Sequence, residues 1–249
     1  MPCGLSRPAL RPDRRYQLMA LVAAAFVPHP TILLPEVAGA DADRLTSTRA
    51  AFSRLDAHLA QVEAGTVIVV SPHGPAGSDQ LPIRLVPRAS GHLSRFGAAR
   101  VALDLAVDVE LTRDLIRSSR PDGFRLFPSD DRGLDHGTIV PLWLLPQTRA
   151  GKRFLFLGVT GWPLPRLEAF GRWLFGRLSE RSAILLASGN LAHPPGQLEG
   201  IDWESIEGAG DCGLRSLAVL LGASSAAGLR AHVLSYEDPF GLGCAVIPA

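Results

Sequence analysis

The sequence predicts one α/β domain, in which strands and helices are layered around a hydrophobic core. Short apolar runs alternate with amphipathic stretches along the chain, as they do in layered α/β folds. The chain has 249 residues, of which 47% are hydrophobic, so one sizeable core is the simplest organisation. No internal repeat, low-complexity tract or clear interdomain linker divides the chain.

The predicted strands are short apolar runs, and the predicted helices carry apolar residues at three- and four-residue spacing on one face. The strands cover residues 21–27, 66–70, 83–86, 101–105, 153–159, 183–187, 232–236 and 242–246. The helices cover residues 41–63, 109–118, 164–178 and 203–221. Pro and Gly cluster between these elements and mark the turns.

The charge and cysteine content exclude several classes of protein. Charged residues make up 20% of the chain and the net charge is +1, which argues against disorder and against a basic nucleic-acid surface. Cys3, Cys212 and Cys244 form no C-x-x-C pair, so neither a disulfide framework nor a thiolate zinc site is indicated. We interpret Cys212 as a small helical residue that permits close packing. No run reaches the roughly 20 apolar residues of a membrane span, and a cytoplasmic protein is predicted.

The N-terminal segment has two interpretations. A basic stretch at residues 11–17 precedes an apolar run at 18–27, as in a secretory signal peptide. The run leads directly into Pro28-His29-Pro30, however, and cleavage after its alanines would remove the first predicted strand. Residues 1–18 are therefore predicted to be a disordered extension, with Met19 as an alternative true start, and residues 19–249 to form the catalytic domain.

Four histidines share one sequence context. His29, His73, His136 and His193 each follow or close an apolar segment beside Pro or Gly, and Glu237 likewise follows an apolar run. Ligands of open α/β sheets bind beyond the carboxyl ends of the strands. Strands that are distant in the chain can therefore deliver these side chains to one pocket.

This set of residue types suits a particular metal. Two imidazoles and one carboxylate on one side of an ion leave several positions open, an arrangement typical of non-haem Fe(II). Two further histidines that are not ligands can transfer protons near neutral pH. We interpret His58, His92 and His232 as structural, because none of them shares the strand-end context.

Six segments carry a resemblance to a known family. They are VPHPTILLPEV at 27–37, VVSPHG at 69–74, LDHGTIVPL at 134–142, ASGNLAH at 187–193, AGDCGLRS at 209–216 and LSYEDPFGLG at 234–243. In this order they resemble the LigB-like family of class III extradiol ring-cleavage dioxygenases, and within it the dioxygenase-like domain of AmmeMemoRadiSam system protein A. The resemblance implies a central mixed β-sheet flanked by helices, with the active site at the carboxyl ends of the strands.

The resemblance also implies a reaction and residues for it. The metal ligands would be His29, His73 and Glu237, the acid–base residue would be His193, and His136 would position a substrate hydroxyl or join the proton relay. The implied cofactor is Fe(II), and the implied reaction is cleavage of a catechol-like aromatic ring by O₂. No nucleic-acid or membrane partner is expected, and a homo-oligomer is compatible with the sequence.

Departures from the family pattern leave two other functions open. The family usually has Asp and Ser where this chain has Asn190 and Ala192, and the stretch after His193 is short. Loss of that carboxylate alters how His193 is oriented or how strongly its charged form is favoured. The same ligands also suit a zinc hydrolase. A non-catalytic binding or scaffold protein on the same fold is the other alternative.

Overall fold

The computed structural model describes residues 21–178, 181–191, 212–238 and 244–248. The strands in these ranges are β1 (Leu21–Val27), β2 (Thr66–Val70), β3 (Ala76–Gly77), β4 (Leu81–Arg84), β5 (Arg88–Leu93), β6 (Ala98–Ala106), β7 (Leu126–Ser129), β8 (Arg153–Leu157), β9 (Val159–Thr160), β10 (Ala183–Ser188), β11 (Ser235–Glu237) and β12 (Cys244–Pro248). The α-helices are α1 (Pro35–Ala38), α2 (Thr46–Leu59), α3 (Val109–Ser119), α4 (His136–Leu144), α5 (Pro146–Arg149), α6 (Leu164–Arg177) and α7 (Leu214–Ala227), and the 3₁₀ helices are Thr31–Leu33, Gly39–Leu45 and Ser94–Phe96.

A mixed sheet of eight strands forms the centre of the described ranges, in the order β11-β12-β1-β10-β2-β8-β4-β7. Strands β1, β10, β2 and β8 are mutually parallel, and they are flanked by the antiparallel pairings of β12 with β1 and of β4 with β8. The predicted α/β fold with a central mixed sheet is therefore confirmed.

The parallel strands lie at the centre because they are apolar on both faces. In β1, Ala25 and Val27 pack into one hydrophobic cluster, and Ala24 and Phe26 pack into the cluster on the other side. Helices α2 and α4 and the β5–β6 hairpin cover the first face, and α3, α6 and α7 cover the second. The carboxyl ends of the parallel strands emerge between these two layers.

Several predicted boundaries were wrong. The first predicted helix divides into the 3₁₀ helix Gly39–Leu45 and the α-helix Thr46–Leu59. Helix α7 continues six residues beyond the predicted end, because its residues remain compatible with a helix until Gly228, which caps it at φ 70. The predicted helical residues 203–211 lie outside the described ranges. None of the described helices is long and apolar enough to cross a membrane.

Asp56→Ala is expected to destabilise the protein by about 2–3 kcal/mol. The buried carboxylate of Asp56 accepts hydrogen bonds from the backbone of Gln147 at 3.1 Å and from the backbone and hydroxyl of Thr148 at 2.8 and 2.7 Å. Alanine leaves these donors unpaired where α5 begins. Urea denaturation measures the loss. Asp104→Ala is the control, because it breaks an exposed ion pair with Arg88 and should cost less than about 1 kcal/mol. Equal losses would contradict the expectation.

Candidate metal centre

His29 and His73 meet at the carboxyl-end edge of the parallel strands. β1 ends at Val27 and β2 ends at Val70, so each histidine follows a buried strand by two or three residues. The Nε2 atoms of the two rings are 3.0 Å apart, and the rings stand edge to face. The structure therefore brings together two of the three predicted metal ligands.

A serine on β10 determines which nitrogen of His29 carries the proton. Oγ of Ser188 donates its hydrogen to the carbonyl oxygen of Gly137 at 2.6 Å. Because a hydroxyl has only one hydrogen, Ser188 must accept from Nδ1–H of His29, which is 2.8 Å away. The lone pair of the neutral ring is then on Nε2, on the side of His73. Metal-ligating histidines usually show this pattern, in which the other ring nitrogen donates to a nearby oxygen.

The local environment keeps the rings of His29 and His136 uncharged. Burial, together with the charges that His73 and His136 would carry, lowers the pKa of His29 from 6.5 to about 3. Burial and the proximity of His73 also lower the pKa of His136, against the opposing effect of Asp135. The unprotonated imidazole is the form that binds a metal or accepts a proton, and both rings have that form at neutral pH.

His136 begins helix α4 rather than following a strand, which corrects its predicted strand-end position. Oδ1 of Asp135, the N-cap, accepts from the backbone N–H of Thr138 at 3.1 Å and from Oγ of Ser71 at 2.6 Å. Ser71 belongs to the segment that carries His73, so one carboxylate joins the two histidine-bearing segments. The rings of His73 and His136 stack, with centroids 4.2 Å apart.

Gly137→Ala is expected to weaken metal binding about tenfold, the effect of disturbing groups that orient a ligand. The added methyl group would lie 2.6 Å from Oγ of Ser71 and 3.3 Å from Cδ2 of His73, so the segment with that histidine must shift. Competition with a chromophoric zinc chelator measures the affinity. Gly176→Ala is the matched control, because its methyl group meets nothing within 4 Å. Equal zinc affinity in the two variants would contradict the prediction.

Cys212 is a candidate ligand that the sequence analysis missed. Its Sγ is 3.7 Å from Nε2 of His29, and the ligand atoms of His29, His73 and Cys212 all lie within 4.8 Å of one another. Two glycines permit this approach, since a Cβ at Gly189 would lie 2.2 Å from Cα of Gly213. The only signal in the sequence was the Cys-Gly pair, which close packing explained equally well.

Two predicted site residues remain, Glu237 and His193. Glu237 lies on β11, where its Oε2 accepts from the backbone N–H and the hydroxyl of Thr48 at 2.7 and 2.6 Å. Burial raises the pKa of Glu237, but hydrogen bonds from Thr48 and Ser47 outweigh it and lower the pKa below its ordinary value. The clustered metal-binding groups of the described residues do not include Glu237, so its role as a ligand stays a prediction. His193 lies outside the described residues.

The clustered groups open into a cavity of about 430 Å³. Its lining residues are His29, Pro30, Thr31, Ile32, Leu45, His73, Phe96, His136, Asn190 and Cys212. Asn190 occupies the position where Asp was expected, and its Oδ1 accepts a hydrogen bond from the backbone N–H of His29 at 3.3 Å. A cavity of this volume can hold a small aromatic molecule beside the metal-binding groups.

The spacing of the donor atoms fits a divalent cation. Two nitrogen ligands about 2.1 Å from one ion and at right angles to each other are about 3 Å apart, which matches the 3.0 Å between His29 and His73. For the same ion, with a thiolate about 2.3 Å away, the 3.7 Å between Sγ of Cys212 and Nε2 of His29 corresponds to a sulfur–metal–nitrogen angle of roughly 115°. The residues present therefore suit a metal ion with nitrogen and sulfur ligands.

Comparisons with known proteins agree with this fold. The family model described as the catalytic LigB subunit of aromatic ring-opening dioxygenase matches residues 23–202, well over half of the chain. Protein CA_C1420 of Clostridium acetobutylicum is 27% identical to this chain over an alignment that covers 92% of the chain. The chain spans only 57% of the length of that relative. The crystal structure of the uncharacterized protein JW3007 from Escherichia coli superposes with a TM-score of 0.61 at 15% identity, covering 91% of this chain and 98% of that one. The last likeness concerns the fold alone.

Proposed function

This chain belongs to the LigB family, the catalytic subunits of aromatic ring-opening dioxygenases, and from that membership we propose that it is a metal-dependent extradiol dioxygenase. The proposed substrates are a catechol-like aromatic and O₂, and the proposed metal is Fe(II). The single observation that carries the proposal is the pair of histidines, His29 and His73, whose Nε2 atoms are 3.0 Å apart at the wall of a cavity large enough for an aromatic ring.

Two groups compete for the third ligand position. The family resemblance assigns it to Glu237, and the distances favour Cys212, which lines the cavity with the two histidines. Oε2 of Glu237 already accepts two hydrogen bonds from Thr48. We therefore propose His29, His73 and Cys212 as the ligands in the described arrangement, with Glu237 as the alternative that mutagenesis decides.

The protein's own side chains prepare the reaction. A ferrous ion held by His29, His73 and a third ligand would supply Lewis acidity toward two vicinal hydroxyl groups and the one-electron chemistry that O₂ requires. Ser188 orients the ring of His29 toward the cavity. His136 lines the cavity in its neutral form, so it can accept a proton from a substrate hydroxyl. The acid–base residue proposed for the later proton transfer is His193.

The test is oxygen consumption by protein reconstituted anaerobically with Fe(II) and then mixed with a panel of catechols. We expect O₂ uptake in equal amounts with the absorbance of a ring-fission product. A protein that holds one equivalent of iron and consumes no O₂ with any catechol would reject the proposal.

Cys212 gives specific support to a second candidate, a zinc hydrolase. Cysteine thiolates combined with histidines are typical zinc ligands, and a zinc-bound water is an effective nucleophile at neutral pH. Metal analysis of protein purified without oxygen, followed by activity assays after Fe(II) or Zn(II) is returned, separates the candidates. Ester hydrolysis that requires zinc, without O₂ uptake in the iron form, would favour the hydrolase.

A further inference from the structure

The first turn of helix α7 determines how far the thiol of Cys212 lies from His29. The helix begins at Leu214, two residues after Cys212. So short a connection makes the cysteine follow any movement of that turn. The contacts that fix the turn therefore bear directly on the 3.7 Å between Sγ of Cys212 and Nε2 of His29.

Two hydrogen bonds attach this turn to β10 and the residues that follow it. The backbone N–H of Gly213 donates to the carbonyl oxygen of Asn190 at 3.2 Å. Oγ of Ser216 donates to the carbonyl oxygen of Ser188 at 2.6 Å. Both attachments lie on the β10 side of the turn, so by themselves they leave it able to pivot about that side.

Arg215 attaches the same turn to a different segment. Its Nη1 donates to the carbonyl oxygens of Thr160 at 2.9 Å and of Trp162 at 2.7 Å. Thr160 ends β9, and Nε1 of the buried Trp162 donates to the carbonyl oxygen of Asp79 at 3.0 Å. Arg215 therefore connects the turn that carries Cys212 to a segment that is itself held in place.

The chemistry of the Arg215 side chain makes this attachment firm. The side chain is half-buried, and it forms no ion pair with a carboxylate of the described residues. Hydrogen bonds from a charged donor are roughly twice as strong as those between neutral groups. Thr160 and Trp162 are each only 2% exposed, so few water molecules can replace the guanidinium there.

We propose that Arg215 is a positioning residue, which holds Cys212 where its thiolate can bind the metal. The inference rests on the proposed function, in which Cys212 is the third ligand, and adds a supporting residue to that site. Without Arg215 the turn is held on the β10 side alone. Small movements matter, because metal–ligand distances are held within about 0.2 Å in a well-formed site.

The test measures the zinc affinity and the visible spectrum of Co(II)-substituted protein carrying Arg215→Met. Methionine keeps an apolar stem and removes the donors. We expect zinc affinity to fall about tenfold, as it does when other groups that orient a ligand are removed. The charge-transfer absorption from thiolate to Co(II) should weaken at the same time, because that absorption reports the sulfur–metal bond itself.

Two further variants control for charge and for general disturbance. Arg215→Lys retains a charged donor for one of the carbonyl oxygens and should keep zinc affinity within about threefold of the wild type. Arg166→Met is the matched control. Arg166 is also half-buried and lies over the ring of Trp162 at 4.3 Å, but its hydrogen bond goes to the carbonyl oxygen of Gly123. It should change neither zinc affinity nor the absorption.

A double-mutant cycle separates the positioning of Cys212 from a general loosening of the protein. If Arg215 acts through the thiol, Arg215→Met should cost no further zinc affinity once Cys212→Ala is present. An equal loss in both backgrounds would overturn the inference. Urea denaturation checks that each variant is folded, and Arg215→Gln, which keeps a neutral donor, repeats the cycle if Arg215→Met does not fold.

The outcomes separate this inference from the proposed function. A thiolate absorption that is present in the wild type and unchanged in Arg215→Met would overturn the inference and leave Cys212 as a ligand. Absence of that absorption from the wild type would reject Cys212 as the ligand, and the inference would fail with it. Neither measurement involves O₂, so a failed oxygen assay with catechols would reject the dioxygenase and leave the result for Arg215 unaffected.

Discussion

His73→Ala is expected to lower the affinity for Zn(II) or Fe(II) by more than about a hundredfold and to abolish oxygen consumption. Disturbing a residue that only supports a ligand costs 10- to 100-fold in affinity, and this substitution removes a ligand itself. The side chain of His73 is exposed, so the free energy of unfolding of the metal-free protein should change by less than about 1 kcal/mol. Competition titration with a chelator measures affinity, and urea denaturation measures stability.

His58→Ala is the matched control for this prediction. His58 is an exposed histidine on α2 that does not line the cavity. The His58→Ala substitution should leave both metal affinity and turnover at the wild-type level. If His73→Ala kept full metal affinity, the pair formed with His29 would be an ordinary hydrogen bond between imidazoles rather than a metal site.

Cys212→Ala is expected to lower zinc affinity at least about tenfold, whereas Glu237→Gln should change it less than about threefold. The thiol lies with the two histidines at the cavity wall. The carboxylate of Glu237 instead accepts hydrogen bonds from Thr48 in the N-terminal turn of α2. Glutamine keeps a carbonyl oxygen that can still accept from Thr48. The measurement is again competition titration, on variants whose unfolding has been checked.

Cobalt substitution gives an independent readout of the third ligand. A thiolate bound to Co(II) produces an intense charge-transfer absorption, which should be present in the wild-type protein and in Glu237→Gln and absent in Cys212→Ala. Two results together would show that the carboxylate is the ligand. Glu237→Gln alone would lose cobalt binding, and the wild-type protein would lack the charge-transfer absorption. The assignment implied by the family resemblance would then be right.

Local sequence patterns predicted the central strands because their causes are local. The runs that became β1, β2, β8 and β10 are apolar on both faces, and only strands buried between two layers have that composition. The histidines that follow β1 and β2 were placed correctly for the same reason. A residue just beyond the end of a parallel strand lies at the ligand-binding edge wherever that strand stands in the sheet.

The approach of Cys212 to His29 and the position of the proton on His29 could not be predicted in this way. Ser188 can orient His29 only because β10 lies beside β1, and Cys212 approaches the same ring only because Gly189 and Gly213 are in contact. Ser188 and Cys212 are 159 and 183 residues from His29 in the sequence. No periodicity or turn signal records which segments will touch.

The sequence by itself thus determined the α/β layering and the strand ends at which His29 and His73 stand, because hydrophobic periodicity and turn residues act within one segment. Only the tertiary structure decided that Cys212 completes the described cluster while Glu237 bonds to Thr48. The physical reason is that the distance between two side chains depends on strand order and helix packing. Both of these result from many weak contacts spread over the whole chain.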